Sequence, residues 1–370
     1  MRITLEPGGL DLETAPGETI LDAARREGFD APNSCRNGNC HVCEAVLLHG
    51  RVKLPDSREA GPGEEIFTCV AEPLEDCALH WEGILAPGQL PVRKLACQVV
   101  ECSPIGGDVW RVRLRTPAGK PLRYHPGQYL LLERDGAEPA AFSIASAPSE
   151  ERMLELHILT RDPVTQAVID YLQQHKVARI QAPFGEACLS ELPDQPLVLI
   201  AAGTGLAQMQ SIVEQCLQQG FAHAIHLYWG VRHSDDLYEA PHWQRWQQAP
   251  NLYLHRVISD QPDWPERQGM LHQAVCEDIA DLADYRFIVS GSPAMVYGTL
   301  DALVASGMPE DHMLADAFAY LALRSNASGT IGMISPHRGR ENQLESLSAS
   351  GELYALDTFF ELTNAEWQAN

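Results

Sequence analysis

Four cysteines carry the clearest chemistry in this chain. Cys35, Cys40 and Cys43 stand in the run Cys-Arg-Asn-Gly-Asn-Cys-His-Val-Cys, and Cys69 follows alone. Three soft thiolates from one tight loop and a fourth from a different strand are what a [2Fe-2S] cluster of the plant type needs. Gly38 suits a backbone that must reach positive φ and turn its amides inward toward sulfide. A structural zinc site and a disulfide pair are the plainer readings. Zinc sites pair two short Cys-x-x-Cys knuckles, whereas these ligands divide three and one, so the spacing favours the cluster. A second group is Gly203-Thr204-Gly205, placed after the apolar run Leu197 to Ala202 and before a helical pattern. Such a turn lets the backbone approach a pyrophosphate at a helix N-terminus, although by itself it is more often structural.

These groups need elements to hold them. At 370 residues with 45% apolar content, the chain is expected to hold two or three domains with packed cores. No apolar run approaches the ~18 residues of a membrane span, and Met-Arg-Ile-Thr-Leu-Glu lacks a signal-peptide core. A soluble, cytoplasmic protein is the expectation. Cys77, Cys97, Cys102, Cys188, Cys216 and Cys276 sit singly in apolar surroundings, which suits small buried side chains better than disulfides. A net charge of -23 argues against nucleic acid, whose phosphates call for clustered Lys and Arg.

In chain order, residues 1–92 form the first predicted unit. Short strands flank Pro7-Gly8-Gly9, a helix starts at Thr19 and stops near Gly28, and strands at Ala45 to Leu48 and Ile66 to Cys69 frame the loop. This pattern resembles the plant-type ferredoxin domain, a β-grasp fold, with Thr68-Cys69 matching its closing segment. His41 departs from it, standing where the family usually has Gly, and is read as a non-ligand beside the cluster. The unit holds 16 acidic residues against 7 basic ones, which suits a basic docking face on a partner.

After the Pro- and Gly-containing linker Ala86 to Pro91, residues 93–192 read as short strands and predict an antiparallel barrel. Pro126-Gly127-Gln128-Tyr129, Ala141-Phe142-Ser143-Ile144-Ala145-Ser146 and Leu156-His157-Ile158 resemble the flavin-binding barrel of the ferredoxin-NADP reductase family. The resemblance implies FAD, with FMN the other flavin that fits. It assigns Tyr129, Phe142, Ser143, Ile144, Ala145, Ser146, His157 and Ile158 to flavin, with Ser143 near flavin N5 in a catalytic role. The helix expected over Val164 to Leu172, with Thr165 in its first turn, resembles the one whose amides receive flavin phosphate. Read alone, Ser143 is as well explained by a turn. Ala140 stands at the family's phosphate-binding Arg, and Arg123, Arg134 or Arg161 are the replacements within reach of the sequence reading.

Residues 193–322 change period. Continuous apolar strands alternating with helices predict a doubly wound parallel α/β sheet, so the whole is a multidomain α+β and α/β chain. Tyr228 to Arg232 with Asp236-Leu237-Tyr238, then Ser290-Gly291-Ser292-Pro293 with Met295, then Asp316 to Tyr320 resemble successive nucleotide-binding segments of that family, closest to its flavin-reductase branch. The resemblance assigns Gly203, Thr204, Gly205, Gly230, Arg232, Gly291, Pro293, Met295 and Phe318 to coenzyme or flavin, and gives Ser290 a catalytic place beside the nicotinamide. Ser290 replaces the family's Cys, and Gln208 replaces a frequent Pro and is expected to be tolerated. With no basic cluster beyond Arg232 and His233, NADH is favoured over NADPH.

Residues 323–370 fall outside the resemblance. Ser325 to Gly351 reads as an irregular connector, and Leu353 to Trp367 as one amphipathic helix of unknown role. The reading assembled from these parts is a reductase that moves electrons from NAD(P)H through flavin to the cluster, and on to a protein acceptor such as an oxygenase, desaturase or dehydratase component. Two other readings stand beside it: a free-flavin reductase with loosely held flavin, and a carrier fused to a degenerate coenzyme module. Oligomeric state is not legible in the sequence.

Overall fold

Alternating burial builds the first sheet. In β1 (Arg2–Glu6) Ile3 and Leu5 point inward, and β2 (Leu10–Glu13) folds back so that Leu12 lies opposite Ile3. Helix α1 (Ile20–Arg26) begins where the Thr19 side chain accepts the Asp22 amide, and Gly28 follows at φ 85°. Then come β3 (Glu44–His49), β4 (Val52–Lys53), β5 (Glu59–Ala60), β6 (Glu65–Phe67), β7 (Glu72–Pro73) and β8 (Cys77–His80). The main sheet has the order β2-β1-β8-β3-β6, with β1 and β8 parallel, and β5-β4-β7 form a small second sheet. Ile20 and Leu21 of α1 join Ile3, Leu5, Leu47 and Leu79 in one core. Each such side chain contributes about 1.5–3 kcal/mol of burial.

The computed structural model describes residues 1–6, 9–119, 122–149, 151–239, 242–318, 323–325 and 331–333. They divide at Pro91 into two compact units, the second running from Val92. The helix expected over 353–367 lies outside the described residues. At the start of the expected C-terminal extension, Leu323–Ser325 pairs antiparallel with Ile331–Met333.

The second unit opens with six antiparallel strands. They are β9 (Arg93–Pro104), β10 (Val109–Arg115), β11 (Tyr129–Arg134), β12 (Ala137–Ser143), β13 (Met153–Leu159) and, after α2 (Pro163–His175), β14 (Val177–Phe184), in the order β12-β11-β14-β9-β10-β13. The sequence reading has no strand at β14, whose inward residues Ala178, Ile180 and Ala182 give a weak alternation of small side chains. Among the short strands that residues 93–192 predict is one over Phe142 to Ser146. The observed one starts earlier and ends at Ser143, because the Ala145 amide turns away to the Glu155 carbonyl of β13 at 2.7 Å.

A parallel sheet completes the unit. It comprises β15 (Leu197–Ala202), α3 (Leu206–Gln218), β16 (Ile225–Val231), α4 (Trp243–Trp246), β17 (Leu252–Ile258), β18 (Arg267–Gln268), α5 (Leu271–Asp278), β19 (Arg286–Ser290), α6 (Pro293–Ala305) and β20 (Met313–Leu314), in the order β18-β17-β16-β15-β19-β20. Leu197, Leu199 and Ala201 of β15 face one core while Val198 and Ile200 face the other, so this strand is buried on both sides. Among the described residues no helix is long and apolar enough to cross a membrane.

Candidate functional site

The cysteine loop curls because three of its residues take positive φ: Arg36 at 58°, Gly38 at 77° and His41 at 61°. Its amides then turn toward sulfur. The Asn39 N–H donates to Cys35 Sγ and the Cys35 N–H to Cys40 Sγ, each at 3.4 Å. Backbone donation, from Asn37 first, draws the Cys35 thiol down to about 6, whereas burial pushes Cys69 up to about 11. The Thr68 amide and hydroxyl both donate to the Cys43 carbonyl, at 3.1 and 3.0 Å, and this holds Cys69 against the loop. Cys35 lies beside Cys40, and Cys69 lies close to both Cys43 and Cys35. Among the described residues no three His, Cys, Asp or Glu side chains gather around a point for a single ion. A binuclear cluster asks for something else, two thiolates on each of two irons, and this donor set fits it. His41 is exposed; its Nδ1 lies 2.6 Å from Glu44 Oε2 and its ring meets the Phe67 edge at 4.7 Å.

In the second unit the turn Gly203–Gly205 links β15 to α3. The first turn of α3 has no side-chain cap, and its Leu206 amide donates back to the Gly203 carbonyl, so no side chain competes with an anion at this helix start. A Cβ at Gly205 would stand 2.6 Å from the Ser290 carbonyl oxygen, so only glycine lets this turn close on the end of β19. Thr204 and Ser290 are half-buried there. Gly291 packs against Met295, and Pro293 opens α6 behind Ser292, which caps the Met295 amide. Phe318 is half-buried beside Tyr297 at 5.6 Å. Gly230 is buried beneath Leu271, and Arg232 is exposed with its Nε 2.7 Å from Asp260 Oδ2.

The expected flavin residues divide in two. Tyr129 and Ser143 face each other across β11 and β12 and are half-buried, with Tyr129 stacked on Phe184 at 5.7 Å. They keep surface for a planar ring. Phe142, Ile144 and Ile158 pack into the barrel core, and Ala145 is buried. Ser146 Oγ accepts the Glu155 amide at 3.2 Å, and His157 is buried between the Tyr238 hydroxyl at 3.2 Å and Glu155 at 3.1 Å. Burial alone would raise Glu155, but the His157 contacts, helped by Gln210 and Arg111, hold it down at about 2.

The phosphate end differs from the sequence expectation. At α2 the Asp162 carboxylate already accepts the Val164 and Thr165 amides at 2.9 Å, and Thr165 Oγ1 donates to it at 2.6 Å. A carboxylate therefore occupies the donors that the sequence reading offers to flavin phosphate. Ala140 is buried opposite Leu132. Of the three arginines weighed as replacements, Arg161 is held by Asp108 and Asp236, Arg123 is exposed, and the buried Arg134 Nε has no hydrogen-bond partner among the described residues.

Sequence reasoning gave no role to the group that joins these parts. Asp316 accepts the Glu186 and Ala187 amides, both at 3.0 Å, and Gln208 Nε2 at 3.2 Å, while Gln208 also donates to the Ala187 carbonyl at 2.8 Å. Burial pushes Asp316 up to about 6 against these donors. It stands against Gly185, where a Cβ would meet both Asp316 Oδ1 and the Tyr129 ring at 3.0 Å. This clasp ties the segment around Asp316 to the end of β14 and to α3. Gln208, where the family often has Pro, was the signal that could have revealed it.

Comparison with known proteins agrees with this construction. Residues 3–74 match the 2Fe-2S iron-sulfur cluster binding domain, and residues 199–301 match the oxidoreductase NAD-binding domain. Protein RfbI of Salmonella typhimurium is 32% identical over 85% of this chain and 96% of its own length. The ferredoxin--NAD(P)(+) reductase component of a naphthalene 1,2-dioxygenase/salicylate 5-hydroxylase system of Ralstonia sp. is 30% identical over 86% of this chain and 98% of its own. Among solved structures, the Amycolatopsis cytochrome P450 reductase GcoB has a TM-score of 0.60 and 28% identity, covering 85% of this chain and 98% of that one. The chain therefore belongs to the ferredoxin-NAD(P)+ reductase family that carries an N-terminal [2Fe-2S] domain, and it is an NAD(P)H-dependent flavin and iron-sulfur oxidoreductase.

Proposed function

We propose that this chain is the reductase component of a two-protein system, taking electrons from NADH and delivering them one at a time to a partner oxygenase or dehydratase. The observation that supports this most is the Asp316 clasp, which brings a bare pyrophosphate turn and a half-buried Tyr129–Ser143 edge into one compact unit. When bound, flavin accepts a hydride and releases single electrons, which the [2Fe-2S] cluster carries onward. The residues have distinct tasks in this reading. Cys35, Cys40, Cys43 and Cys69 hold the cluster. Gly203, Thr204 and Gly205, with the first amides of α3, receive the coenzyme pyrophosphate. Ser290 borders the nicotinamide, Tyr129 and Ser143 offer the surface on which the flavin ring rests, and Asp316 with Gln208 keeps the two surfaces in register.

The Asp260 carboxylate beside Arg232 supports NADH, because an acidic side chain at a strand end accepts a ribose hydroxyl and repels a 2′-phosphate. The partner class follows from the relatives: an oxygenase system for the Ralstonia protein, and CDP-6-deoxy-L-threo-D-glycero-4-hexulose-3-dehydrase for a Yersinia pestis reductase 28% identical over 86% of this chain. Domain limits of 1–92, 93–192 and 193–322 complete the proposal. Anaerobic stopped-flow with NADH tests it: flavin absorbance should bleach first and cluster absorbance second in the same molecule. A cluster that stays oxidised would end the relay. A second reading, a free-flavin reductase, is favoured by the Asp162 cap and by Ala140. Flavin that separates from the protein on gel filtration would select it.

A further inference from the structure

The coenzyme turn is held from behind by a side chain that the proposed function leaves unused. Trp229 lies on β16, next to β15, and is 3% exposed. Its indole Nε1–H donates to the Gly203 carbonyl at 2.9 Å. That carbonyl belongs to the first residue of the turn, where Gly203 takes φ 53°. Glycine reaches this left-handed conformation without strain and could leave it as easily, so the turn is fixed by its hydrogen bonds, the Leu206 amide and this indole both donating to the Gly203 carbonyl.

The indole is itself fixed. The Tyr238 ring meets it edge to face at 5.1 Å, and the Trp243 ring lies at 5.6 Å. The Tyr238 hydroxyl lies 3.2 Å from His157 Nδ1, and His157 Nε2 lies 3.1 Å from Glu155, which also accepts Gln210 Nε2 at 3.0 Å. A continuous buried chain thus runs from β13 of the barrel through Tyr238 and Trp229 to the Gly203 carbonyl, and back to α3 through Gln210. Every link is a hydrogen bond or a ring contact.

We infer that Trp229 is a positioning residue for the coenzyme: by holding the Gly203 carbonyl it sets the amides of the turn for a nucleotide diphosphate, and through Tyr238 and His157 it does so in register with the barrel. This inference rests on the reading of Gly203–Gly205 as the pyrophosphate site. Trp229 touches no reacting atom, so its contribution falls on coenzyme affinity and not on the hydride step. Removing the donor leaves the Gly203 carbonyl with the Leu206 amide alone and the turn free to relax, a loss equal to about a tenfold weakening of binding at most.

The test uses the full chain with its flavin and cluster, and ADP-ribose as a probe that carries the pyrophosphate without nicotinamide. Trp229→Phe keeps a ring and removes the N–H. Its Kd for ADP-ribose and its KM for NADH should both rise about tenfold, with kcat at saturation within about twofold and with flavin and cluster absorbance intact. Trp229→Tyr, which retains a donor, should fall between Trp229→Phe and the parent. It also serves as the second variant if the phenylalanine form does not fold. Gly205→Ala separates the inference from the reading beneath it. If Gly205→Ala weakens ADP-ribose binding and neither Trp229 variant does, the role of Trp229 is overturned while the site stands. If no variant affects ADP-ribose, the turn is not the pyrophosphate site and both fall. Loss of flavin, or kcat and KM failing together, would make Trp229 a packing residue only.

Discussion

The two cofactor regions of this protein are assembled by opposite routes. In the first unit, three of the four candidate ligands come from one nine-residue loop whose backbone amides point at its own sulfurs, and the fourth is tied in by two hydrogen bonds from Thr68. In the second unit, the candidate site draws on Tyr129, Ser143, Gly203, Ser290 and Asp316, nearly two hundred positions apart from first to last, and the Asp316 carboxylate bonds Glu186, Ala187 and Gln208 between them. A locally wound site is expected to fail all at once when a ligand is lost. A distributed site is expected to loosen by degrees.

The largest effect should come from Cys69→Ser. Cluster absorbance should disappear, and reduction of a one-electron acceptor such as cytochrome c should fall by more than the about 10–100-fold that losses around a metal site cost, while NADH still bleaches the flavin. Partial retention of the cluster would blur the contrast between the two regions.

Asp316→Ala addresses the other side of it. Two amides and the Gln208 side chain lose their acceptor, at about 1–3 kcal/mol for each buried group left unpaired, with compensation by relaxation. Thermal denaturation should show the second unit weakened, and the KM for NADH should rise several-fold with cluster absorbance unchanged. The pH dependence gives a second readout. The folded Asp316 sits at about 6, raised from its ordinary 3.8 by burial. Its protonation therefore favours the fold below the ordinary value, and this contribution is lost as pH rises through about 6. The parent should lose stability between pH 4 and 6 from this group, and the variant should lack that part of the slope. A melting profile with the same slope in both would remove Asp316 from the clasp.

The smallest effect sharpens a contrast inside the second unit. Helix α2 has its first amides filled by Asp162, whereas α3 has no side-chain cap. Asp162→Ala should cost about 0.5–2 kcal/mol of stability as an N-cap loss, and should let the protein retain more flavin after gel filtration. Lower retention would show that the carboxylate assists the flavin and does not compete with it.

The cysteine spacing, the double-faced apolar strand at Leu197 to Ala202 and the Gly-Thr-Gly turn were legible in the residues because each is set by local rules: ligand number, two-sided burial and close backbone approach. The strand Val177–Phe184 was not, since its small inward residues carry little alternation. Nor was the cap at α2, although Asp162 stands directly before Pro163; the resemblance drew attention to the amides and away from the side chain that fills them. Sequence alone determined which chemistry this protein carries, because thiolate count and strand period are properties of short stretches. Only the tertiary structure decided which distant residues complete the second site. Asp316, Gln208 and Trp229 act through hydrogen bonds across 21 to 130 positions of chain, and no local pattern encodes a partner at that distance.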